Sequence, residues 1–290
     1  MTFKDALKSG EFTVTANVNL AEAQDADALL RQGELLRPIV DAVQLTDGSK
    51  IQMSGVAAAA MLIQHDIDPI VHMNCRDRNR IALQKDLFGA AGLGVTSVLI
   101  TRGREVPESG NLGARNVFDV RALDFMAYIH ELKQSEDDSK FSDFVVGANA
   151  KIFTPKPDWT PKNLVRKCDA GANFIQLQMC FDIGATRSYM ARIVASKLTH
   201  RASFIAALSP LPSADAARRV RDNVEGALVP ESIIERMELA SDPEREGIEI
   251  CAELLQELTT IPGVSGANLM ALGKLETIPA AIETSGVRLT

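Results

Sequence analysis

The feature that most constrains this chain is an alternation. Short β-rich apolar runs recur at residues 12–18, 42–46, 69–73, 97–101, 144–148, 174–178, 203–208 and 266–272. Between them lie helical patterns at 23–36, 54–64, 79–92, 120–132, 161–170, 185–198 and 213–222. The last gap holds two more, 230–239 and 242–258, and 274–285 follows the final run. In 79–92, Ala82, Leu83, Leu87 and Ala90 fall at the spacing that keeps one helix face apolar. A helix after each strand returns the chain to the same edge, so the strands must run parallel. Eight such units predict an α/β fold, the (β/α)8 or TIM barrel. An open doubly wound sheet normally begins with a glycine-rich phosphate turn, whereas the first run here ends in Asn17-Val18-Asn19-Leu20.

Length and composition then narrow the class. The 290 residues suit one barrel, and no composition shift or Pro/Gly/Ser linker divides them. A single domain over residues 1–290 is expected. With 46% hydrophobic and 24% charged residues the chain can bury a core, which excludes disorder as its main state. No run of about 18 apolar residues occurs, so no membrane partner is expected. The start Met1-Thr2-Phe3-Lys4-Asp5 lacks the layout of a signal peptide, which predicts a cytoplasmic protein. A net charge of −7 argues against nucleic acid as a partner. Cys75, Cys168, Cys180 and Cys251 are scattered, and the four histidines include no His-Glu-x-x-His, so no metal site is expected. The stretches 105–116 and 133–142 read as surface loops, the first as a lid.

If the barrel is correct, chemistry belongs at the C-terminal ends of its strands. That rule selects Asn17, Thr46-Asp47, His72 with Asn74, Thr101-Arg102-Gly103-Arg104, Asn149, Gln178 and Ser209. This rim is rich in amides and arginines and poor in carboxylates. His72 reads either as a core histidine bonded to a carbonyl or as a ligand and proton contact. Arg102 and Arg104 flank a glycine and could cradle an anion or heterocycle with fixed planar donors; a solvated loop is the plainer alternative. Asn163, Arg166 and Lys167 stand at i, i+3 and i+4, so they share one helix face just after Pro161. Free N–H groups at that helix start favour a phosphate or pyrophosphate, although a solvent-facing basic patch has the same spacing. Asp77, Arg78 and Arg80 suit capping and surface ion pairing. The isolated cysteines read as small core residues, and no Gly-x-Ser-x-Gly elbow occurs.

Several of these segments resemble the methylenetetrahydrofolate reductase family. They are Asp41-Ala42-Val43-Gln44-Leu45-Thr46-Asp47, His72-Met73-Asn74-Cys75-Arg76-Asp77-Arg78-Asn79, and Arg80-Ile81-Ala82-Leu83-Gln84 leading to Asp86-Leu87-Phe88-Gly89-Ala90-Ala91. Thr101-Arg102-Gly103, Asn163-Leu164-Val165-Arg166-Lys167 with Asp169-Ala170-Gly171-Ala172-Asn173, and Gln178 four residues before Asp182 complete the series. In this order the set is specific, where any one segment alone would be weak.

The resemblance implies a (β/α)8 barrel holding FAD at its C-terminal face, an oxidoreductase of one-carbon metabolism. NADH or NADPH would reduce the flavin, and the flavin would exchange a hydride between 5,10-methylenetetrahydrofolate and 5-methyltetrahydrofolate. By motif position it assigns flavin contacts to Thr46, His72, Arg102, Asn163, Arg166 and Lys167, and a pterin contact to Gln178. A tetrahydrofolate derivative and a nicotinamide nucleotide are the partners it implies, and a homo-oligomer is expected. Two positions depart from the family. Asn17 stands where the first strand normally carries a glutamate acting as general acid, and an amide cannot donate that proton. Arg104 stands where an aspartate is usual, reversing the charge. The departures leave two alternatives beside a flavoenzyme: a flavin-independent folate reductase, and a non-catalytic folate- or flavin-binding subunit of a C1-transfer complex.

Overall fold

Strand β1 (Thr13–Val18) pairs with β2 (Ala42–Leu45) on one side and with β8 (Val264–Leu269) on the other, and both pairings are parallel. Between them β3 (Pro69–Asn74), β4 (Ser97–Thr101), β5 (Val145–Ala150), β6 (Phe174–Met179) and β7 (Ser203–Leu208) follow in chain order and close the barrel. This computed structural model describes all residues except 1, 24, 49–51, 107–112, 136, 138 and 289–290. The expected (β/α)8 barrel is therefore the observed one.

Helices cover the outside in the order the apolar spacing predicts. They are α2 (Ala26–Leu36), α3 (Gly55–Ile63), α4 (Arg80–Gly92), α5 (Ala122–Gln134), α6 (Lys162–Asp169) and α7 (Ile183–Ala195). After β7 come α8 (Ala214–Asn223), α9 (Glu231–Leu239) and α10 (Pro243–Thr259), and α11 (Thr277–Ser285) follows β8. Polar caps set several starts: Asp25, Asn79, Asp182, Ser213 and Asp242 each accept from a backbone N–H three residues on. This is why α2 begins at Ala26 rather than at 23, where the apolar spacing starts. Lys133 and Gln134 belong to α5, and 139–141 form a 3-10 turn with buried Phe141, so 133–142 is only partly a loop. In the other expected loop, 107–112 lie outside the described residues, and so does the lid reading that rests on them.

Strand alternation sorts side chains between two cores. Val14, Ala16 and Val18 join the large apolar cluster beneath the helices. A smaller cluster fills the lower lumen: Ala42, Ile70, Leu99, Val145, Phe174 and Ile205, with Phe3 inserted from α1 (Phe3–Ser9). The alternation pattern does not reveal α1, but Thr2 and Asp5 form its capping box. Phe3 meets Phe174 edge to face at 5.0 Å, and its N–H donates to Asp68 at 2.6 Å. Gly147 leaves space for Phe174; a Cβ there would lie 2.2 Å from the ring. The helix α1 thus stoppers the N-terminal end and leaves the opposite end for a ligand.

Candidate functional site

Above the apolar plug the lumen turns polar. Gln44 of β2 and Gln176 of β6 sit on strands that are not neighbours, yet the Gln44 Nε2 donates to the Gln176 Oε1 at 2.9 Å, which requires a contact through the barrel interior. The same Nε2 donates to Thr15 Oγ1 at 3.0 Å, and Thr15 donates to Asn268 Oδ1 at 2.9 Å. Asn268 Nδ2 then donates to Asn17 Oδ1 at 3.0 Å. On the other side the His72 Nε2 lies 2.8 Å from Gln44 Oε1. Burial pushes the His72 imidazole down to about 4, so at neutral pH the ring is uncharged. His72 thus bonds a side-chain amide rather than the backbone carbonyl its core reading suggested. Sequence reasoning singled out His72 and Asn17 but missed Thr15, Gln44, Gln176 and Asn268. The available signal was strand parity: polar residues recur at the inward positions of β1, β2, β6 and β8.

The turn after β3 forms a floor built around a buried cation, which residue type alone would place at the surface. Arg76 is 3% exposed and forks onto Asp77 at 2.5 and 2.6 Å. Its remaining donors reach the carbonyls of Gly48 at 2.8 Å and Arg104 at 3.1 Å, tying the β2 and β4 ends to the β3 turn. The guanidinium holds the Asp77 carboxyl below the usual carboxylate range. Asn74 Oδ1 accepts from the N–H groups of Arg76 and Asp77, fixing the turn. Arg78 bridges Asp47 at 2.7 Å and Asp86 at 2.9 Å, the ion pairing expected for it. Thr46, half-buried at the end of β2, accepts from Gln52 through its carbonyl.

At β4 the positive φ of Gly103 turns the backbone, and a Cβ there would come within 2.7 Å of Arg76 Cβ. Arg102 on one side is 65% exposed, stacks over Phe118 at 4.3 Å and lies 3.5 Å from Glu105. Arg104 on the other side is exposed. Its charge helps hold Glu225 below the usual carboxylate range, behind the larger effect of Lys151.

A cleft of about 640 Å3 opens where β5, β6 and the start of α6 meet. Phe153, Trp159 and Tyr189 form its aromatic side, with ring centroids 5.2–5.4 Å apart. Asn149, Asn163, Lys167 and Gln178 supply polar lining. Lys167 Nζ donates to the Asn149 carbonyl, and burial pushes its ammonium below the usual lysine range. No carboxylate pairs with it among the described residues, so an anionic guest would relieve that desolvation. The sequence-selected residues therefore fall into two groups on one face. Asn163, Lys167 and Gln178 share the cleft, while Asn17, Thr46, His72, Arg102 and Arg104 belong to the β1–β4 side. Arg166 is exposed and is not part of the cleft lining.

Among the described residues, no helix is long and apolar enough to cross a membrane, and no cluster of three or more His, Cys, Asp or Glu side chains is placed to hold a metal ion. All four cysteines are free and buried.

A closed parallel barrel with one end plugged and the other lined by amides and cations defines a (β/α)8 protein with its ligand face at the strand C-termini. The methylenetetrahydrofolate reductase family model matches residues 4–286, and the chain belongs to that family. A probable methylenetetrahydrofolate reductase (NADPH) of Caenorhabditis elegans is 24% identical over 245 residues, covering 82% of this chain and 35% of the relative. Methylenetetrahydrofolate reductase 2 of Schizosaccharomyces pombe is 22% identical over 280 residues, covering 89% and 42% respectively. The chain thus spans less than half the length of these two relatives. Among solved structures, a Clostridium thermocellum protein described as binding two copies of 5-methyl-5,6,7,8-tetrahydrofolic acid superposes with a TM-score of 0.61. It shares 12% identity, with 97% of each chain covered, and is similar in fold.

Proposed function

We propose that this chain is an oxidoreductase that interconverts 5,10-methylenetetrahydrofolate and 5-methyltetrahydrofolate with FAD, using NADH or NADPH where an electron donor is needed. One observation carries the reading: Asn163, Lys167 and Gln178, three positions with separate assigned contacts, line a single cleft with an aromatic side. The donor chemistry fits a dinucleotide. Lys167 is a desolvated cation without a carboxylate partner, next to an amide at a helix start, which suits a diphosphate. Phe153, Trp159 and Tyr189 suit a planar ring. Bound FAD would supply the ring that takes or gives a hydride.

The residues then divide the work. Asn163 and Lys167 hold the diphosphate side of the cofactor, with Arg166 contributing its charge from the exposed surface outside the cleft, and Thr46, His72 and Arg102 hold its ring side. Gln178 orients the pterin. Asn17, pinned by Asn268, offers an amide N–H where the family uses an acid, so protonation of a leaving ring nitrogen is slow. Arg104 adds positive charge beside a group that becomes anionic on reduction. The charge of Arg104 favours oxidation of 5-methyltetrahydrofolate, whereas the amide at Asn17 slows ring opening and its reverse alike.

The test is the visible spectrum of purified protein before and after 5-methyltetrahydrofolate is added. A flavin band that bleaches is expected. Colourless protein that cannot be reconstituted with FAD yet turns over would support direct hydride transfer from nicotinamide. Folate binding without turnover in either direction would support a non-catalytic subunit. A redox titration checks Arg104 separately: Arg104→Asp should lower the flavin potential, and an unchanged or higher value removes that role.

A further inference from the structure

The lumen hydrogen bonds run in one direction, and that direction fixes what the site offers a ligand. Gln44 Nε2 donates twice, to Thr15 Oγ1 and to Gln176 Oε1, so the carbonyl Oε1 is the atom left facing His72 at 2.8 Å. An acceptor there requires a proton on His72 Nε2. In a neutral ring Nδ1 is then an unprotonated lone pair, and it has no hydrogen-bond partner among the described residues. The other branch has the same sense. Thr15 gives its only hydroxyl proton to Asn268 Oδ1, and Asn268 donates to Asn17 Oδ1. Asn17 therefore keeps its two amide N–H donors unused by the protein among the described residues. Both His72 and Asn17 are half-buried, open enough for a ligand to reach.

We propose that Gln44 is a positioning residue whose two donated hydrogen bonds set His72 as the Nε2–H tautomer on one side of the ligand face and, through Thr15 and Asn268, set Asn17 with its amide donors free on the other. The arrangement deepens the function proposed above, because it rests on this face being the ligand site. It selects a heterocycle that brings a ring N–H to His72 Nδ1 and a lone pair, on a carbonyl or ring nitrogen, to Asn17. A reduced pterin or an isoalloxazine carries both kinds of group. Among the described residues burial is the one cause acting on the His72 ring and no charged side chain adds to it, so hydrogen bonding rather than charge decides its tautomer.

The experiment is nitrogen-15 NMR of the histidine side chains in the ligand-free protein near pH 7, with His72 assigned by loss of its signals in His72→Asn. The expected spectrum shows His72 in one neutral form, with Nε2 protonated and Nδ1 bare. The Gln44→Glu variant keeps the acceptor but cannot donate to Thr15 or Gln176, and it should draw His72 to the doubly protonated form. Gln44→Met removes the acceptor and should leave a mixture of tautomers. Nδ1–H in the wild-type protein, or a His72 signal unchanged in both variants, overturns the proposal. Should the variants fail to fold, a wild-type spectrum showing Nδ1–H or a mixture of tautomers overturns the proposal by itself, and a single Nε2–H form whose Nε2 signal carries the shift of a donated hydrogen bond supports it. The measurement uses no ligand, so its failure is distinct from a failure to bind folate or flavin. Given folate binding, Gln44→Glu should also weaken 5-methyltetrahydrofolate at least about tenfold, the cost of one mispaired buried hydrogen bond.

Discussion

The two ends of the barrel lumen are built from the same strands and behave as opposites. At the N-terminal end, inward positions carry Ala42, Ile70, Leu99, Val145, Phe174 and Ile205, with Phe3 of α1 driven in as a plug. One step up the same strands the inward residues are Gln44, His72, Thr101, Gly147, Gln176 and Ala207, with Thr15 and Asn268 beside them. The lower layer gains from non-directional burial, so it tolerates any shape that fills it. The upper layer gains only if each donor meets an acceptor, and one wrong partner strands a buried polar group. Stability should therefore reside mainly below, and ligand selectivity above.

The sharpest way to break that division is to remove mass from the plug. Phe174→Ala deletes a fully buried ring that contacts Phe3, and Gly147 beside it cannot fill the space. A loss of about 3–5 kcal/mol is expected in denaturant unfolding. Ligand affinity of the remaining folded protein should change little. An equal loss from Gln178→Ala would show that the two ends are not separable.

The polar layer has its own stability signature, and it is a pH dependence. The folded His72 pKa of about 4 lies below the 6.5 of an exposed histidine, so the unfolded chain binds this proton first. Stability from His72 is intact above pH 6.5 and falls as pH drops through that value toward 4. The loss amounts to up to about 3 kcal/mol. His72→Asn should flatten this part of the profile. A profile equally steep in the variant would place the acid sensitivity elsewhere, for instance in carboxylates paired with arginine.

The difference between the ends also explains what was legible in the sequence. Apolar alternation with period two and helical spacing between runs follow from burial, which acts on residue type, so the barrel could be read directly. Strand limits shifted by one to three residues, as at β5 and β8, because hydrogen-bond pairing rather than hydrophobicity ends a strand. α1 was missed because seven residues carry too little periodicity to register, and only its capping pattern marks it. At the site, Asn163, Lys167 and Gln178 were legible through motif order and helix-face spacing. Gln44, Gln176 and Asn268 were not, because their roles depend on contacts across the lumen between strands as far apart as β2 and β6. Arg76 was hidden for a related reason: an arginine is read as surface until its carboxylate and carbonyl partners are seen around it.

Restoring the family's acid tests whether the upper layer can take a different chemistry without disturbing the lower one. In Asn17→Glu the carboxylate would still accept from Asn268 Nδ2, so the network need not break. Interconversion of 5,10-methylenetetrahydrofolate and 5-methyltetrahydrofolate should speed up by about tenfold in both directions, a modest share of what a general acid supplies. Thermal stability should change little. If activity falls in both directions, the amide at Asn17 belongs to a distinct catalytic arrangement.

The smallest effect on stability is expected at the outer edge of the polar end. Arg102 is largely exposed, stacks on Phe118 and pairs loosely with Glu105, so Arg102→Gln should cost less than about 1 kcal/mol in unfolding. Under the proposed function the same change removes a planar cation from the ring side of the flavin site, and FAD affinity should drop by at least about tenfold. That combination, an unchanged melting curve with weakened cofactor binding, is what the separation of the two ends requires. Gln178→Leu provides the matched control within the cleft, because it should weaken folate while sparing FAD. If Arg102→Gln leaves FAD binding intact, the guanidinium is a solvated loop residue, and the cofactor contact on the β4 side must be sought at His72 and Thr46.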